Sequence, residues 1–376
     1  MLYSLLLTRS PSLENLQPVT SRLKQPELVE SLIKLARELG PESRLPRVKE
    51  LSKALGVSLV TLDQGLRQLE QRGLIERHAG SGIYVTYCIL QKTIGLVFGL
   101  SSFASSGSTF YSILLSRCIE RAASHQERFS FFLDLPNLNR VSLNSSVHHD
   151  LIAALSDHKL DGLLVASVSG PDQEQWLRDQ GIPTVCLNSA GNPGSVTTDD
   201  KALIRMASQA LMQEGCQNIG IIAMSPNDVD LFRSAASEFG FHFQESWIQH
   251  PEASPRKTAA ARGVAAAKSL LDQNKASNLP LPEGLIITND LLASGACRHF
   301  ISKHLVIGQD LKIATHSNKD SPVLSEWNNV LIRCEIDPAE VADTLISMLE
   351  TLMDGRALTK EVVVIAPHLK FGNRQT

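Results

Sequence analysis

The sequence predicts two structural units: a winged helix-turn-helix, α-helical with a small β wing, and then an α/β unit of two lobes with doubly wound parallel sheets. Three observations support this prediction. Short amphipathic helices joined by tight glycine turns fill the start of the chain, and a glycine-rich hairpin follows them. Apolar strands then alternate with helices to the end of the chain, which is the pattern of parallel sheets.

Length and composition limit the class of protein. At 376 residues the chain exceeds what one hydrophobic core usually supports. With 43% hydrophobic residues and no run near the roughly 18 apolar residues of a membrane span, no membrane partner is expected. The apolar start from Met1 to Leu7 lacks the basic region and cleavage site of a signal peptide, so a cytoplasmic protein is expected.

Cysteine spacing and charge distribution add two expectations. The six cysteines are widely separated without a CxxC pair, which indicates reduced packing residues rather than disulfides or zinc ligands. Residues 1–90 carry 12 Lys and Arg against 9 Asp and Glu, a net charge of +3, whereas the rest of the chain carries −6. The N-terminal unit therefore has the sign expected of a segment that approaches phosphates.

Three helices are predicted in the small unit. Apolar residues recur at helical spacing from Glu27 to Gly40, a second short helix lies between Pro46 and Gly56, and Ser58 caps a third that runs to Gly73. A tight glycine turn joins the second helix to the third. This is the helix-turn-helix arrangement, in which the later helix is free to enter a major groove.

A hairpin completes the winged helix. Leu74 to Arg77 and Ile83 to Val85 have strand character, and the His-Ala-Gly-Ser-Gly run between them supplies the glycines of a tight turn. We therefore expect an N-terminal extension over residues 1–24, the winged helix over 25–86 and a linker over 87–91. Residues 92–376 are expected to form the two-lobed unit.

The larger unit is predicted from short apolar strands separated by helices. The strands are expected at Thr93 to Phe98, Phe129 to Leu133, Gly162 to Val165, Thr184 to Leu187, Ile219 to Ala223, Gly284 to Ile287 and Leu311 to Ala314. A C-terminal helix from Pro338 to Met353 lies between late strands around Val330 to Ile336 and Val362 to Ile365. Two doubly wound lobes with a cleft between them fit this order.

The small unit resembles the GntR-type winged helix. The matching residues are Arg44-Leu45-Pro46, Lys49-Glu50-Leu51, Leu55-Gly56-Val57-Ser58, Leu66 to Leu69, Gly73 to Arg77 and Gly80-Ser81-Gly82. In that family, DNA contacts come from a basic residue on the second helix, the start of the recognition helix and the wing tip. The resemblance implies such contacts here from Lys49, Ser58, Leu59, Val60, Thr61, His78, Ala79 and Gly80, and Arg47, Arg72 and Arg77 are candidate phosphate contacts.

The recognition helix departs from the family pattern. Many members have arginine where this chain has Leu59 and Asp63, and arginine is the usual reader of guanine. Leu59 or Val60 is then expected to contact thymine methyl groups, and Gln64 to read adenine. In the alternative, Leu59 and Val60 pack inward and the domain has lost its affinity for DNA.

Residues Lys92 to Arg374 resemble the sensor domain of the lactose-repressor family, which has the periplasmic-binding-protein-like fold. The matching stretches are Lys92 to Phe98, Leu160 to Leu164, Gly181 to Val185, Val196 to Asp200, Gly215 to Ile219, and Thr288-Asn289-Asp290 with Ala293 and Gly295. A GntR-type winged helix joined to such a sensor resembles the arabinose-repressor subgroup. The resemblance implies a regulator whose sensor binds a sugar.

A sugar cleft in this fold needs short polar side chains at the carboxyl ends of strands. The candidates are Ser101, Ser102, Tyr111, Ser167, Asn289 and Asp290, and the resemblance adds Asp199 or Asp200 as a carboxylate at the cleft or hinge. Because Asp and Ser also cap helices, each of these carboxylates and serines has that alternative role.

Two features of the sensor family are altered here. The family's Gly-Phe-Asp turn is replaced by Thr315 to Asn318, which removes a carboxylate and makes His316 and Ser317 the candidates. The family's arginine aligns with Asp228, and Arg233 substitutes for it only if the register slips. An unusual ligand is therefore expected, and loss of the ligand stays open.

Catalytic motifs are absent, since the sequence has no GxSxG, HExxH or GxxxxGK[ST]. No enzyme activity, cofactor or metal is expected. The sequence predicts a homodimeric transcription regulator, expected to be a repressor, whose affinity for double-stranded operator DNA is controlled by a small-molecule effector, expected to be a sugar. The alternative is a constitutive or architectural DNA-binding protein whose sensor-like domain serves only for dimerisation.

Overall fold

The computed structural model describes residues 25–99, 109–125, 127–134, 149–168, 170–189, 191–252 and 257–372. The small unit contains the helices α1 (Gln25–Leu39), α2 (Val48–Leu55) and α3 (Leu59–Gln71), and a hairpin of β1 (Ile75–His78) and β2 (Gly82–Val85). This is the predicted winged helix. The hairpin is antiparallel, with Ile75 opposite Val85 and His78 opposite Gly82.

The core of the winged helix forms where α1 crosses α3. Leu28 and Leu32 of α1 are fully buried, and a Cβ atom on Gly65 of α3 would lie 3.2 Å from each of their side chains. This close approach determines which face of α3 turns inward, so that Leu62 and Leu66 are buried. The opposite face of α3 is left for solvent.

The predicted linker is packed rather than extended. Tyr87–Leu90 forms a short 3₁₀ helix, and Ile89 is buried in the hydrophobic core of the winged helix. Burial of the apolar side chain of Ile89 stabilises this packing, because it removes apolar surface from water. Gln91 and Lys92 then lead directly into the first strand of the large unit.

Each lobe of the large unit is built on a six-stranded sheet. The first lobe has strands β3 (Thr93–Gly99), β4 (Arg128–Asp134), β5 (Gly162–Val165), β6 (Thr184–Leu187), β7 (Ser195–Thr198) and β13 (Val362–Ile365), with helices α4 (Thr109–His125), α5 (His149–Ser156), α6 (Pro171–Arg178) and α11 (Pro338–Met353). The second has strands β8 (Ile219–Ile222), β9 (Ile248–Gln249), β10 (Gly284–Ile287), β11 (Lys312–Asn318), β12 (Ile332–Ile336) and β14 (His368–Lys370), with helices α7 (Asp200–Gln213), α8 (Pro226–Phe239), α9 (Ala259–Ala276) and α10 (Asp290–Ser302). Short 3₁₀ helices span Glu245–Trp247 and Pro322–Trp327.

The sheet order is that of doubly wound lobes. The strands run β13-β7-β6-β5-β3-β4 in the first lobe and β14-β12-β11-β10-β8-β9 in the second. Every pairing in the two sheets is parallel except that of β12 with β14. Strand β11 extends to Asn318, beyond the predicted end at Ala314, because β12 pairs with it as far as Ile336.

The chain passes between the lobes three times, and these crossings lie close together. They are Thr198 to Asp200, Ile336 to Pro338, and Ile365 to His368. The amide N–H of Asp199 in the first donates to the carbonyl oxygen of Ile365 in the third at 3.0 Å. The crossings therefore form one connected hinge between the lobes.

The cysteines agree with the packing role predicted for them. All six are free thiols, and all but Cys88 are buried. Burial raises the pKa of Cys186 to about 12, so this thiol stays protonated at neutral pH. Among the described residues, no helix combines the length and the apolar character that a bilayer crossing requires.

Helices α9 and α10 pack with unusually close backbones. A Cβ atom on Gly295 would lie 1.9 Å from the carbonyl oxygen of Ala260, and one on Gly263 would lie 2.1 Å from that of Leu292. Such distances are far inside van der Waals contact, so no side chain fits at either position without moving a helix.

We predict that Gly295→Ala destabilises the protein by about 3 kcal/mol, because the methyl group forces α9 and α10 apart. Urea denaturation followed by circular dichroism measures the change. Gly170→Ala is the control, since a Cβ atom there meets nothing within 4 Å, and its cost should stay within about 1 kcal/mol. Equal stability of the two variants would contradict the packing described here.

Candidate functional site

The start of α3 presents an apolar surface to solvent. The hydroxyl of Ser58 caps the helix by accepting a hydrogen bond from the backbone N–H of Thr61 at 3.1 Å. The hydroxyl oxygens of Ser58 and Thr61 are 2.8 Å apart. The next two side chains, Leu59 and Val60, are 50% and 70% exposed. The alternative in which they pack inward is therefore wrong, and the contact of Gly65 with α1 is the reason.

Exposed cations lie at the start of α2, the helix that precedes α3 in the helix-turn-helix. Arg47 and Lys49, at the start of α2, are exposed and form no ion pair with any residue that the structure describes. Gln64 is exposed one turn after Val60 on α3. The two helices thus expose cations on α2 and, on α3, side chains of the kinds that contact base edges.

Arg77, predicted as a phosphate contact, already has two carboxylate partners. Its guanidinium donates to Asp63 at 2.9 Å and to Glu70 at 3.1 Å, and Arg67 also pairs with Asp63 at 2.9 Å. The hydrogen bond from Arg77 is the main reason that the pKa of Asp63 is lowered. Asp63, where many family members have arginine, thus ties the wing to α3.

One cation that lies against the wing, Arg44, was not assigned a DNA contact from the sequence. His78 contacts Glu76 at 2.8 Å, while Ala79 and Gly80 are exposed at the turn. The side chain of Arg44 lies against the wing, because a Cβ atom on Gly82 would be 2.5 Å from its Nε atom. Arg44 belongs to the framework motif, but only the fold brings it next to the wing.

We predict that Leu59→Ala and Val60→Ala each change the free energy of unfolding by no more than about 0.5 kcal/mol, as surface substitutions do. Leu62→Ala, on the buried face of the same helix, should cost about 2–5 kcal/mol. Chemical denaturation of the three variants measures this difference. A large loss of stability for Val60→Ala would mean that the side chain is packed rather than presented.

A cavity of about 290 Å³ lies between the two lobes. Its walls are Phe110, Tyr111, Asn188 and Thr198 from the first lobe, and Met224, Ala259, Asn289, Asp290, Leu291, His316, Asn318 and Ile336 from the second. Several of these residues follow the carboxyl ends of parallel strands, which is where ligands bind in open α/β sheets. Of the predicted ligand contacts, Tyr111, Asn289, Asp290 and His316 lie here.

The polar centre of the cavity is formed by Asp290, Asn318 and His316. Asp290 is buried; one carboxylate oxygen accepts from the amide of Leu291 at 2.8 Å and the other from the side-chain amide of Asn318 at 3.1 Å. The Nδ1 atom of His316 is buried and has no hydrogen-bond partner among the described residues. The cavity therefore offers a polar group that still needs a partner.

The charge state of His316 depends on its surroundings. Burial lowers its pKa, while the carboxylates of Asp290 and Asp200 oppose that shift. The pKa of Asp200 is raised. The main cause is that neighbouring protein atoms partly desolvate the carboxyl group, and the second is the negative charge of Asp228. The residue as a whole is exposed to solvent. A neutral His316 offers one donor and one acceptor to a ligand.

Other predicted contacts have structural partners and do not line the cavity. Asp199 caps α7 by accepting from the amide of Ala202 at 2.8 Å, and Ser167 accepts from the amide of Gly99 at 2.8 Å. Ser317 is buried on the face of β11 opposite His316. Ser101 and Ser102 lie outside the described residues.

Asp228, aligned with the family's arginine, has a structural role. It is buried and accepts hydrogen bonds from the amides of Met224 and Ser225 at 3.0 Å and from the hydroxyl of Thr288 at 2.7 Å. These bonds fix the turn after β8 to the end of β10. Arg233 pairs with Glu245 at 2.8 Å and takes no part in the cavity.

Several residues of the cavity wall were not predicted from the sequence. Asn188 directly follows β6 and Asn318 ends β11, so both occupy the strand-end positions that ligand sites favour. The prediction of a strand ending at Ala314 hid Asn318, and Asn188 lies just beyond a strand that was correctly predicted. The described residues contain no group of three His, Cys, Asp or Glu side chains arranged to hold a metal ion.

Two family models match the sequence in separate regions. Residues 27–85 match the model described as bacterial regulatory proteins of the gntR family, and residues 208–373 match the periplasmic binding protein-like domain. A search of curated protein sequences found no match.

Solved structures with the same fold are numerous, at low sequence identity. The transcriptional regulator CelR bound to cellobiose is 18% identical, with a TM-score of 0.60 over 93% of this chain and 98% of that one. The transcription regulator CcpA of Lactococcus lactis is 16% identical, with a TM-score of 0.59 over 74% and 97%. A LacI-family regulatory protein from Chloroflexus aggregans is 20% identical, with a TM-score of 0.62 over 75% and 98%.

Proposed function

We propose that this chain, which joins a GntR-type winged helix to a periplasmic binding protein-like domain, is a transcription regulator that binds operator DNA and responds to a small-molecule effector. The observation that carries the proposal is the exposed first turn of α3, in a helix that Arg77 of the wing pairs with and that follows a helix whose exposed cations, Arg47 and Lys49, form no ion pair with a described residue. A regulator of chromosomal genes would act in the cytoplasm, and no step of this function requires catalysis.

In the proposed complex with DNA, the start of α3 enters the major groove and the wing lies along the adjacent backbone. Leu59 and Val60 contact thymine methyl groups, and Gln64 reads adenine. Arg47, Lys49 and Arg44 contact phosphates, whereas Arg77 holds the wing against α3. The other proposed contacts are Ser58, Thr61, His78, Ala79 and Gly80.

The cavity between the lobes is the proposed effector site, and its chemistry favours a neutral sugar. Carboxylate and amide groups from Asp290, Asn318 and Asn188 suit hydroxyl groups, and the aromatic rings of Phe110 and Tyr111 suit the apolar face of a sugar ring. Among the described wall residues there is no lysine or arginine. A phosphorylated sugar would therefore lack a counter-charge in this cavity.

Control of DNA binding would pass through the hinge. An effector that contacts both lobes favours one angle between them, and it changes DNA affinity only by its preference for that angle.

We propose a homodimer in which the sensor domains, residues 92–376, set the spacing of two winged helices over residues 25–86. Phe131 and Leu133, exposed apolar residues on the edge strand β4, are candidates for the dimer contact. We propose that the protein represses transcription and that the sugar relieves this repression by lowering the affinity for operator DNA.

The second candidate function is a constitutive or architectural DNA-binding protein. The structural roles of Asp228 and Ser317 favour it, because neither residue supplies a ligand contact. The unpartnered Nδ1 atom of His316 favours a working effector site. Placement in the arabinose-repressor subgroup stays a prediction.

We predict that the full-length protein retards a fragment from its own upstream region, and that Lys49→Gln weakens binding to all fragments alike. The slope of log K against log salt should fall by about one, because one phosphate contact is lost. Gel shifts or fluorescence anisotropy at several salt concentrations measure both effects. Lys275→Gln, an equal charge change on the exposed surface of α9, is the control and should leave binding unchanged. Equal retention of every fragment at every salt concentration would refute specific binding.

We predict that a neutral sugar raises the melting temperature of the protein, and that Asp290→Ala removes this shift without affecting DNA binding. At 100 times its Kd, a ligand stabilises the native state by about 2.7 kcal/mol. A thermal-shift panel of neutral sugars, sugar phosphates and nucleosides measures the effect, with exposed Asp272→Ala on α9 as the control. An unchanged shift in Asp290→Ala would remove this residue from the site, and a flat panel would favour the dimerisation-only candidate.

A further inference from the structure

A second cavity, of about 310 Å³, lies between the winged helix and the first lobe. One wall comes from the winged helix, including Arg37 of α1 and Arg72 just after α3, and the other comes from the first lobe, including Arg128, Lys159 and Asp161. It shares no wall residue with the cavity between the lobes. Its volume is that of a site for a small ligand.

The walls of this cavity carry an excess of positive charge. They contain four cations and one carboxylate, that of Asp161. Both oxygens of Asp161 are already engaged, one by Arg37 at 2.9 Å and the other by the backbone amide of Thr93 at 2.8 Å. Lys159 pairs with Asp157, outside the cavity wall, at 2.8 Å. Arg72 and Arg128 form no ion pair with a described residue.

Arg72 is the least compensated of these cations. Its Nη1 atom is buried and has no hydrogen-bond partner among the described residues. Burial lowers the pKa of Arg72 and the neighbouring Arg37 lowers it further, with Asp161 acting in the opposite direction. Because a guanidinium group stays charged in proteins, its buried and unpaired N–H favours an anionic partner.

The position of Arg72 separates this cavity from the proposed DNA surface. Arg72 follows the last turn of α3, a helix of 13 residues, so it lies about 20 Å along the helix axis from the exposed first turn. Arg72 therefore lies at the opposite end of α3 from the side chains proposed to contact base edges. Arg72 was predicted as a candidate DNA phosphate contact, and its place in the wall of this cavity favours a different anion.

We propose that this cavity binds a small, multiply charged anion of the phosphate class, and that the bound anion ties the winged helix to the first lobe. Arg72 and Arg128 donate to its oxygens from opposite walls, and Arg37 and Lys159 add positive charge. Guanidinium groups suit this ligand because they bind phosphate oxygens through paired N–H donors. The protein would then have two ligand sites of opposite chemistry, one for a neutral sugar and one for an anion.

Isothermal titration calorimetry of the full-length protein with pyrophosphate, at an ionic strength held constant with sodium chloride, tests the site. We expect saturable binding of one pyrophosphate per chain. Arg72→Gln should weaken it about tenfold, as expected from the loss of a charge-assisted hydrogen bond. Arg67→Gln, the same change on the exposed surface of α3, should leave the affinity unchanged. Inorganic phosphate in place of pyrophosphate tests whether a single phosphate group is sufficient.

Limited trypsin digestion tests the link between the two units. At a pyrophosphate concentration near the wild-type Kd, cleavage after Lys92, at the junction, should slow in the wild type and in Arg67→Gln and should change little in Arg72→Gln. Should Arg72→Gln fail to fold by circular dichroism, Arg128→Gln on the opposite wall replaces it with the same expectations. Neither readout requires operator DNA or a sugar, so failure here is distinguishable from failure of the proposed regulator.

Three results would overturn the proposal: no saturable binding to the wild type, full affinity in a folded Arg72→Gln or Arg128→Gln variant, or an equal loss in Arg67→Gln. The last result would mean that pyrophosphate responds to overall charge rather than to this cavity. Binding without any change in cleavage after Lys92 would overturn the tie between the winged helix and the lobe.

Discussion

The three crossings between the lobes constrain the rest of the large unit, because each lobe contains chain segments from both sides of them. The first lobe begins with β3 but is completed by α11 and β13, which follow almost the whole of the second lobe in the sequence. The crossings lie beside the cavity between the lobes, and its wall residues Thr198 and Ile336 end the strands that lead into two of them. A ligand in this cavity therefore touches the hinge itself.

Much of the fold could be predicted because periodic apolar runs and glycine turns are local signals. The strands Gly162–Val165 and Gly284–Ile287 and the helix Pro338–Met353 have the predicted bounds. Strands β9 and β14 were missed, since runs of 2 and 3 residues carry no periodicity. Strand β7 was missed because its four residues, Ser195–Thr198, include a single large apolar side chain. The far end of β11 was missed because its pairing with β12 is a tertiary contact.

The sites were harder to predict than the fold, because the same side chains serve helix caps and ligands. Asp199 caps a helix, whereas Asp290, the first residue of a helix that Asn289 caps, lines the cavity, and nothing in the local sequence distinguishes the two carboxylates. The exposure of Leu59 and Val60 depends on how α3 turns against α1, which Gly65 determines through contacts distant in sequence. Likewise, the pairing of Asp63 with Arg77 requires the folded wing.

The packing of Ile89 shortens the connection between the winged helix and the first lobe. Because the 3₁₀ helix Tyr87–Leu90 belongs to the winged helix, only Gln91 and Lys92 remain as a joint before β3. If the first lobe turns about so short a joint, the whole winged helix turns with it, because Ile89 packs in the same core as Leu62 and Leu66 of α3. In the proposed complex with DNA, such a turn would shift the start of α3 along the groove.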